Sequence, residues 1–207
     1  MGAVKQAGMT RRQRAEQTRE RIAGAAYRLF LERGYDDTTM QQVADAAGVA
    51  VQSVYLNFRT KARLLAAAEG HVVLGDQPRD RFFAQPWARE IAEATDAQTV
   101  LRRFIETDTP IKRRIAPFVA KVGAALPSDP ESQASRDHGR DAFFGMVVDR
   151  LIALDALPRE LRRARALDIM RAIDSIEAFT DLTARRGWSA DEWSQWLFDV
   201  LSSQLLR

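Results

Sequence analysis

Between Thr38 and Leu65 the chain reads TTMQQVADAAGVAVQSVYLNFRTKARLL, and three residues in this stretch restrict what it can fold into. Ala44 is small where two short helices must cross closely, Gly48 turns the chain between them, and branched Val54 plugs the second helix into a core. That is the spacing of a DNA-binding helix-turn-helix. The first helix buttresses the second, whose opposite face stays free to enter a groove.

The flanking sequence extends the pattern. From Thr10 to Arg33, Ile22, Ala25, Ala26, Leu29 and Phe30 recur at helical spacing, and Gly34 supplies a stop. Arg11, Arg12, Arg14 and Arg19 precede the packed part of this helix, either as an arm over a phosphate backbone or as a frayed, solvated end. Thr38 or Thr39 caps a second helix to Ala47 with Met40, Val43, Ala44 and Ala47 inward, and a third runs from Val51 to Phe58 with Val54 and Phe58 inward. Thr60 caps a fourth, from Lys61 to Leu74.

Gly75 to Pro86, broken by glycine and prolines, opens a separately organised body. A short helix is expected at 87–94, then a helical stretch at 97–125 that Pro110 and Pro117 should kink or break. Leu126–Pro130 reads as a loop, followed by amphipathic segments at 131–156, 158–186 and 189–206. No β-alternation persists, so the expected fold is all-α with nine or ten helices.

Composition narrows the function classes. Of the 207 residues, 46% are hydrophobic and 29% charged, as in ordinary globular proteins, and no apolar run approaches a membrane span. Residues 1–9 lack the apolar core of a signal peptide and are expected to be disordered, which leaves the cytoplasm as the default compartment. The absence of cysteine removes disulfides, thiol chemistry and thiolate metal sites. His71 and His138 have no second ligand at helical spacing, so no metal is expected. Net charge is only +3, yet residues 1–65 hold eleven Lys/Arg against six Asp/Glu while the remainder holds 20 against 22. A basic excess confined to one end suits a polyanion-binding module on a neutral body, and equally a solvated helix face.

In one uninterrupted register, Leu29-Phe30, Gly34-Tyr35, Thr38-Thr39, Val43-Ala44, Ala47-Gly48-Val49, Val54-Tyr55, Phe58 and Lys61 resemble the TetR-type transcriptional regulators. The resemblance is densest over Ile22–Leu65. It implies a three-helix DNA-binding domain over 10–59 and a larger ligand-binding and dimerisation domain over 60–207. It also gives residues roles. Gln41 and Gln52 look like base readers, since an amide donates and accepts at the edge of adenine, and Val51 suits a thymine methyl. Ser53 suits a base or a phosphate, and Thr39, Tyr55, Asn57 and Lys61 look like phosphate contacts. Three residues depart from the family pattern: Ala50 stands where Ser or Thr usually caps, Val51 replaces a common lysine and Asn57 a common histidine.

For the larger domain the resemblance implies a small-molecule pocket among the helices between about 60 and 183; no cofactor is expected. Phe104, Phe118, Phe143, Phe144, Met146 and Phe179 can line an apolar cavity, although such residues also make ordinary core. Asp174, Glu177 and Asp181 share a helical face that can attract a cation, or can pair with Arg171, Arg185 and Arg186. The segments 158–186 and 189–206 carry Leu161, Ala164, Ile169, Ile173, Ile176, Trp193, Trp196, Leu197, Val200 and Leu201, implying a homodimer interface or completion of the monomer core. The sequence lacks Gly-x-Ser-x-Gly, a phosphate-cradling loop and His-Glu-x-x-His, so an enzyme is not expected. The rival readings are a helical protein-interaction module, and a carrier or enzyme with a vestigial DNA-binding end.

Overall fold

The computed structural model describes residues 10–75, 79–126 and 130–207, with side chains of 79–81 and 130–137 left aside; the expectation for residues 1–9 lies outside this set. Ten α-helices and no strand occur among the described residues. They are α1 (Arg11–Arg33), α2 (Met40–Ala47), α3 (Val51–Phe58), α4 (Lys61–Leu74), α5 (Pro86–Glu93), α6 (Ala97–Val122), α7 (Pro130–Ala153), α8 (Arg163–Ile173), α9 (Ile176–Thr180) and α10 (Ala190–Leu205). Short 3-10 helices occupy Arg79–Ala84 and Gly123–Ala125, and a π-turn occupies Asp181–Arg185. None of the described helices is long and apolar enough to cross a membrane.

The chain forms two compact units. The first holds Met1–Val72 with Lys121–Pro127, and the second Val73–Ala120 with Ser128–Arg207.

In the first unit, Ile22, Ala25, Ala26 and Phe30 of α1 are fully buried, as are Val43 and Ala44 of α2 and Val54 of α3. Thr10 and Gln13 form a reciprocal capping box, and α1 is helical from Arg11. Thr39 and Gln42 cap α2 in the same way. Gly48 ends α2 in the left-handed conformation (φ 63°, ψ 42°), and the Gly48 and Val49 amides return to the Ala44 carbonyl. Thr60 caps α4 by accepting from the Arg63 amide. His71 packs closely onto α1: a Cβ at Gly24 would lie 3.0 Å from its Nε2, so a larger residue there would need the imidazole to shift by a few tenths of an ångström.

The second unit is built around Val100, Leu101 and Phe104 of α6, Phe144, Val147, Val148 and Leu151 of α7, Ala166 and Met170 of α8, and Trp193, Leu197, Leu201 and Leu205 of α10. Two expectations need correction here. First, α6 continues through Pro110 and Pro117, so neither proline breaks it. Each proline removes a bond to the carbonyl four residues earlier, and Pro110, Pro117, Glu106 and Arg113 are all exposed, so water can solvate what the ring leaves open. Second, 158–186 is not one helix. Asp174 leaves helical geometry (φ −90°, ψ 58°), and Ser175 starts α9 by accepting from the Ala178 amide. Asp174, Glu177 and Asp181 therefore do not share one helical face.

Candidate nucleic-acid interface

The eight residues of α3 alternate in exposure as a helix with one buried stripe must: Val54 and Phe58 are buried, Gln52, Tyr55 and Leu56 exposed, and Val51, Ser53 and Asn57 between. Ala50 has extended cap geometry but no side chain to accept a bond, so the Ser53 amide falls back on the Ala50 carbonyl at 2.9 Å. Gln52, in the first turn, has no hydrogen-bond partner among the described residues, which leaves both halves of its amide available. Gln41, on α2, is exposed and donates from Nε2 to Asp45 Oδ1 at 2.7 Å. That bond fixes its orientation and leaves its carbonyl oxygen open.

The residues expected at phosphates are held by the fold in different ways. The Thr39 hydroxyl accepts from the Gln42 amide and retains its own proton to donate. Tyr55 projects with half its surface exposed. Lys61 Nζ donates to the Asp36 carbonyl at 3.2 Å and lies 4.4 Å from the Tyr35 ring centre, which anchors the ammonium beside α2 with donors to spare. Asn57 differs: its Nδ2 donates one hydrogen to the Ser53 carbonyl at 2.7 Å, which ties the side chain to α3 and leaves the second amide hydrogen. Arg19, read from sequence as part of a basic arm, instead stacks 4.5 Å over Phe58 and donates to the Asn57 carbonyl at 2.9 Å. It braces α3 from behind, and nothing in residue spacing announces this.

The joint after α3 carries strain. Arg59 has φ 58° and ψ −47°, and the Thr60 amide reaches the Phe58 carbonyl at 2.6 Å, the geometry of a γ-turn. This sharp turn delivers Thr60 as the cap of α4.

In the second unit, Phe104, Phe118, Phe143 and Phe144 are buried and Met146 is half-buried. Phe104, Phe143 and Phe144 join Phe82 and Trp87 in one chain of edge-on and tilted ring contacts, with centres 5.1–6.4 Å apart. Phe179 meets Trp193 edge-on at 5.3 Å. Neither this cluster nor Phe118 lines the open cleft of about 460 Å³ beside Pro86, Arg89 and Glu93. Glu177 is exposed and Asp181 pairs with Arg186 at 2.8 Å.

Asp174 is fully buried, and its partner is Lys112 of α6, not Arg171. Lys112 Nζ lies 2.5 Å from Asp108 Oδ2 and 2.8 Å from Asp174 Oδ1, the second contact outside hydrogen-bond geometry. Burial, and next the Asp108 charge, push the Asp174 carboxyl up to about 7 despite the ammonium. Burial also opposes the Lys112 charge, but the two carboxylates outweigh it and hold its pKa above the ordinary value. No group of three or more His, Asp or Glu suited to a metal ion occurs among the described residues.

A short helix packed beneath a second, with an exposed amide in the first turn of the latter, is the geometry of a helix-turn-helix. Residues 22–68 match the family model described as bacterial regulatory proteins, tetR family. The match takes in the later part of α1, all of α2 and α3, and the first part of α4. The chain is similar to the HTH-type transcriptional regulator SrpR of Pseudomonas putida, 34% identical over 86 residues, which cover 40% of each protein. Among solved structures, NalD, the secondary repressor of the MexAB-OprM multidrug efflux pump in Pseudomonas aeruginosa, matches with TM-score 0.64 at 21% identity, over 93% of this chain and 98% of that one. FadR from Bacillus subtilis, in complex with stearoyl-CoA, matches with TM-score 0.68 at 18% identity, over 89% and 98%. These two likenesses extend the shared fold across the second unit.

Proposed function

We propose that the chain is a cytoplasmic, ligand-responsive transcriptional repressor that binds a palindromic operator as a homodimer. The observation that carries the reading is α3 itself, whose core stripe is Val54 and Phe58 and whose outward turn offers an unpartnered Gln52. In this reading Gln52, Gln41, Val51 and Ser53 contact bases, while Thr39, Tyr55 and Lys61 fix the docking register on phosphates. Asn57 shapes α3 through its bond to Ser53 and keeps a second amide hydrogen to donate to a phosphate.

Two copies are needed because a palindrome presents two half-sites. Trp193, Leu197 and Leu201 of α10 belong to the monomer core, whereas Leu161, Ile169, Ile173, Ile176, Trp196 and Val200 are only half-buried and supply the apolar area for a partner. The aromatic interior around Phe104 and Phe143 suits an apolar effector, as does the likeness to a protein solved with stearoyl-CoA. Release then requires an effector that prefers the DNA-incompetent arrangement, since equal affinity for both states shifts nothing.

The test is retardation of duplexes selected from a random pool, together with the chain's own upstream region, at several salt concentrations. Specific retardation is expected, and Gln52→Ala should relax preference at particular base pairs by about tenfold or more while retaining binding. A monomeric protein indifferent to DNA sequence would overturn the reading.

A further inference from the structure

Leu56 is 83% exposed, far more than any other large apolar residue described. On α3 it has no structural duty. At 100° per residue, Val54 and Phe58 centre the buried stripe, and Leu56 falls 180° from that centre with Gln52 one turn before it on the same side. Ser53 and Tyr55 flank this outward ridge. Its middle is therefore one amide and one isobutyl group, with Arg59 and Lys61 immediately following. Those cations favour a polyanion over a second copy of this surface.

An apolar side chain at the crest of a helix entering the major groove meets base edges, and the apolar feature there is the thymine 5-methyl group. We propose that Leu56 is a specificity-determining residue that selects a thymine in each half-site through contact with its methyl group. This rests on the DNA-reading role proposed above for α3. It gives the helix two adjacent kinds of readout, hydrogen bonding at Gln52 and methyl contact at Leu56. Because Leu56 is solvent-facing in the free protein, its truncation leaves the fold intact, unlike truncation of Val54.

The experiment uses the full chain and the duplex it selects from a random pool, with each thymine replaced in turn by deoxyuridine. That exchange deletes the methyl and preserves every base-pairing group. At the Leu56 position the exchange should weaken binding roughly threefold per half-site, or about tenfold when both half-sites carry it. In Leu56→Ala this penalty should vanish, while a penalty arising from Val51 persists until Val51→Ala is made. The inference is overturned if the two proteins show the same deoxyuridine profile, if the selected half-site lacks a methyl-sensitive thymine, or if Leu56→Ala weakens all sequences equally. Those outcomes leave sequence-specific binding standing. If the chain selects no sequence, the DNA-reading role falls together with the inference.

Discussion

Ala50 has the backbone of a helix cap, at φ −68° and ψ 144°, but lacks the oxygen that would complete it. Ala50→Ser supplies that oxygen without moving the chain, and should stabilise the protein by about 1 kcal/mol, a rise in Tm of about 2–4 °C. Thermal unfolding followed by circular dichroism checks this; an unchanged midpoint would mean that the Ser53 amide stays with the Ala50 carbonyl. The missing cap was legible in the sequence, because capping depends on which atoms a residue carries. The same held for Gly48, whose left-handed φ follows from its place at the end of α2. Arg59 was not legible, since its positive φ arises from closing the joint between α3 and α4 and not from anything arginine prefers. Asn57 and Arg19 were hidden for a related reason: a long polar side chain chooses among partners that only the packed structure brings within reach.

Among the elements, α6 departs furthest from its sequence-based expectation. Proline is a strong breaker when its ring or the carbonyl it strands faces packed protein, but along α6 both prolines face water. The buried stripe of Val100, Leu101, Phe104, Ile105 and Ala116 holds the helix through them. Pro110→Ala should therefore restore a backbone bond and stabilise the second unit by about 1–3 kcal/mol, readable by urea denaturation. A loss of stability would mean that the proline's restriction of the unfolded chain outweighs its cost in the helix.

The break between α8 and α9 has its own test in Asp174, held at about 7 against an ordinary 3.8. Between those values the folded chain keeps a proton that the unfolded chain has lost. Stability from this group is thus full below about pH 4 and is lost as pH rises through 7, by at most about 1.4 kcal/mol per unit. Asp174→Asn, which removes the charge and keeps the shape, should flatten that part of the stability profile measured by urea unfolding from pH 4 to 8. An unchanged slope would assign the titration to another group. Helical spacing put Asp174 on a surface face because periodicity records position along a helix and not where the helix ends.

For the whole molecule, the first unit was more legible than the second. The first unit depends on close local contacts, with small, turning and branching residues at fixed separations, and such contacts leave a signature in the sequence. An effector site and a dimer face depend instead on which apolar residues the monomer core leaves over. The sequence offered Trp193, Trp196, Leu197 and Val200 without distinguishing them, whereas the structure buries Trp193 and Leu197 and leaves Trp196 and Val200 partly open.

The number of copies on DNA can be read from salt dependence. Each phosphate neutralised contributes about −0.9 to the slope of log binding constant against log salt concentration. If Lys61 holds one phosphate in each of two copies, Lys61→Ala should reduce the slope by about 1.8, and by about half that if a single copy binds. Base preference should survive, since a phosphate contact carries no sequence information. Fluorescence anisotropy with the selected duplex from about 50 to about 300 mM salt resolves the difference. An unchanged slope would mean that the Lys61 ammonium remains with the Asp36 carbonyl and the Tyr35 ring and contacts no phosphate, which would turn Lys61 from a DNA contact into a strut of the first unit.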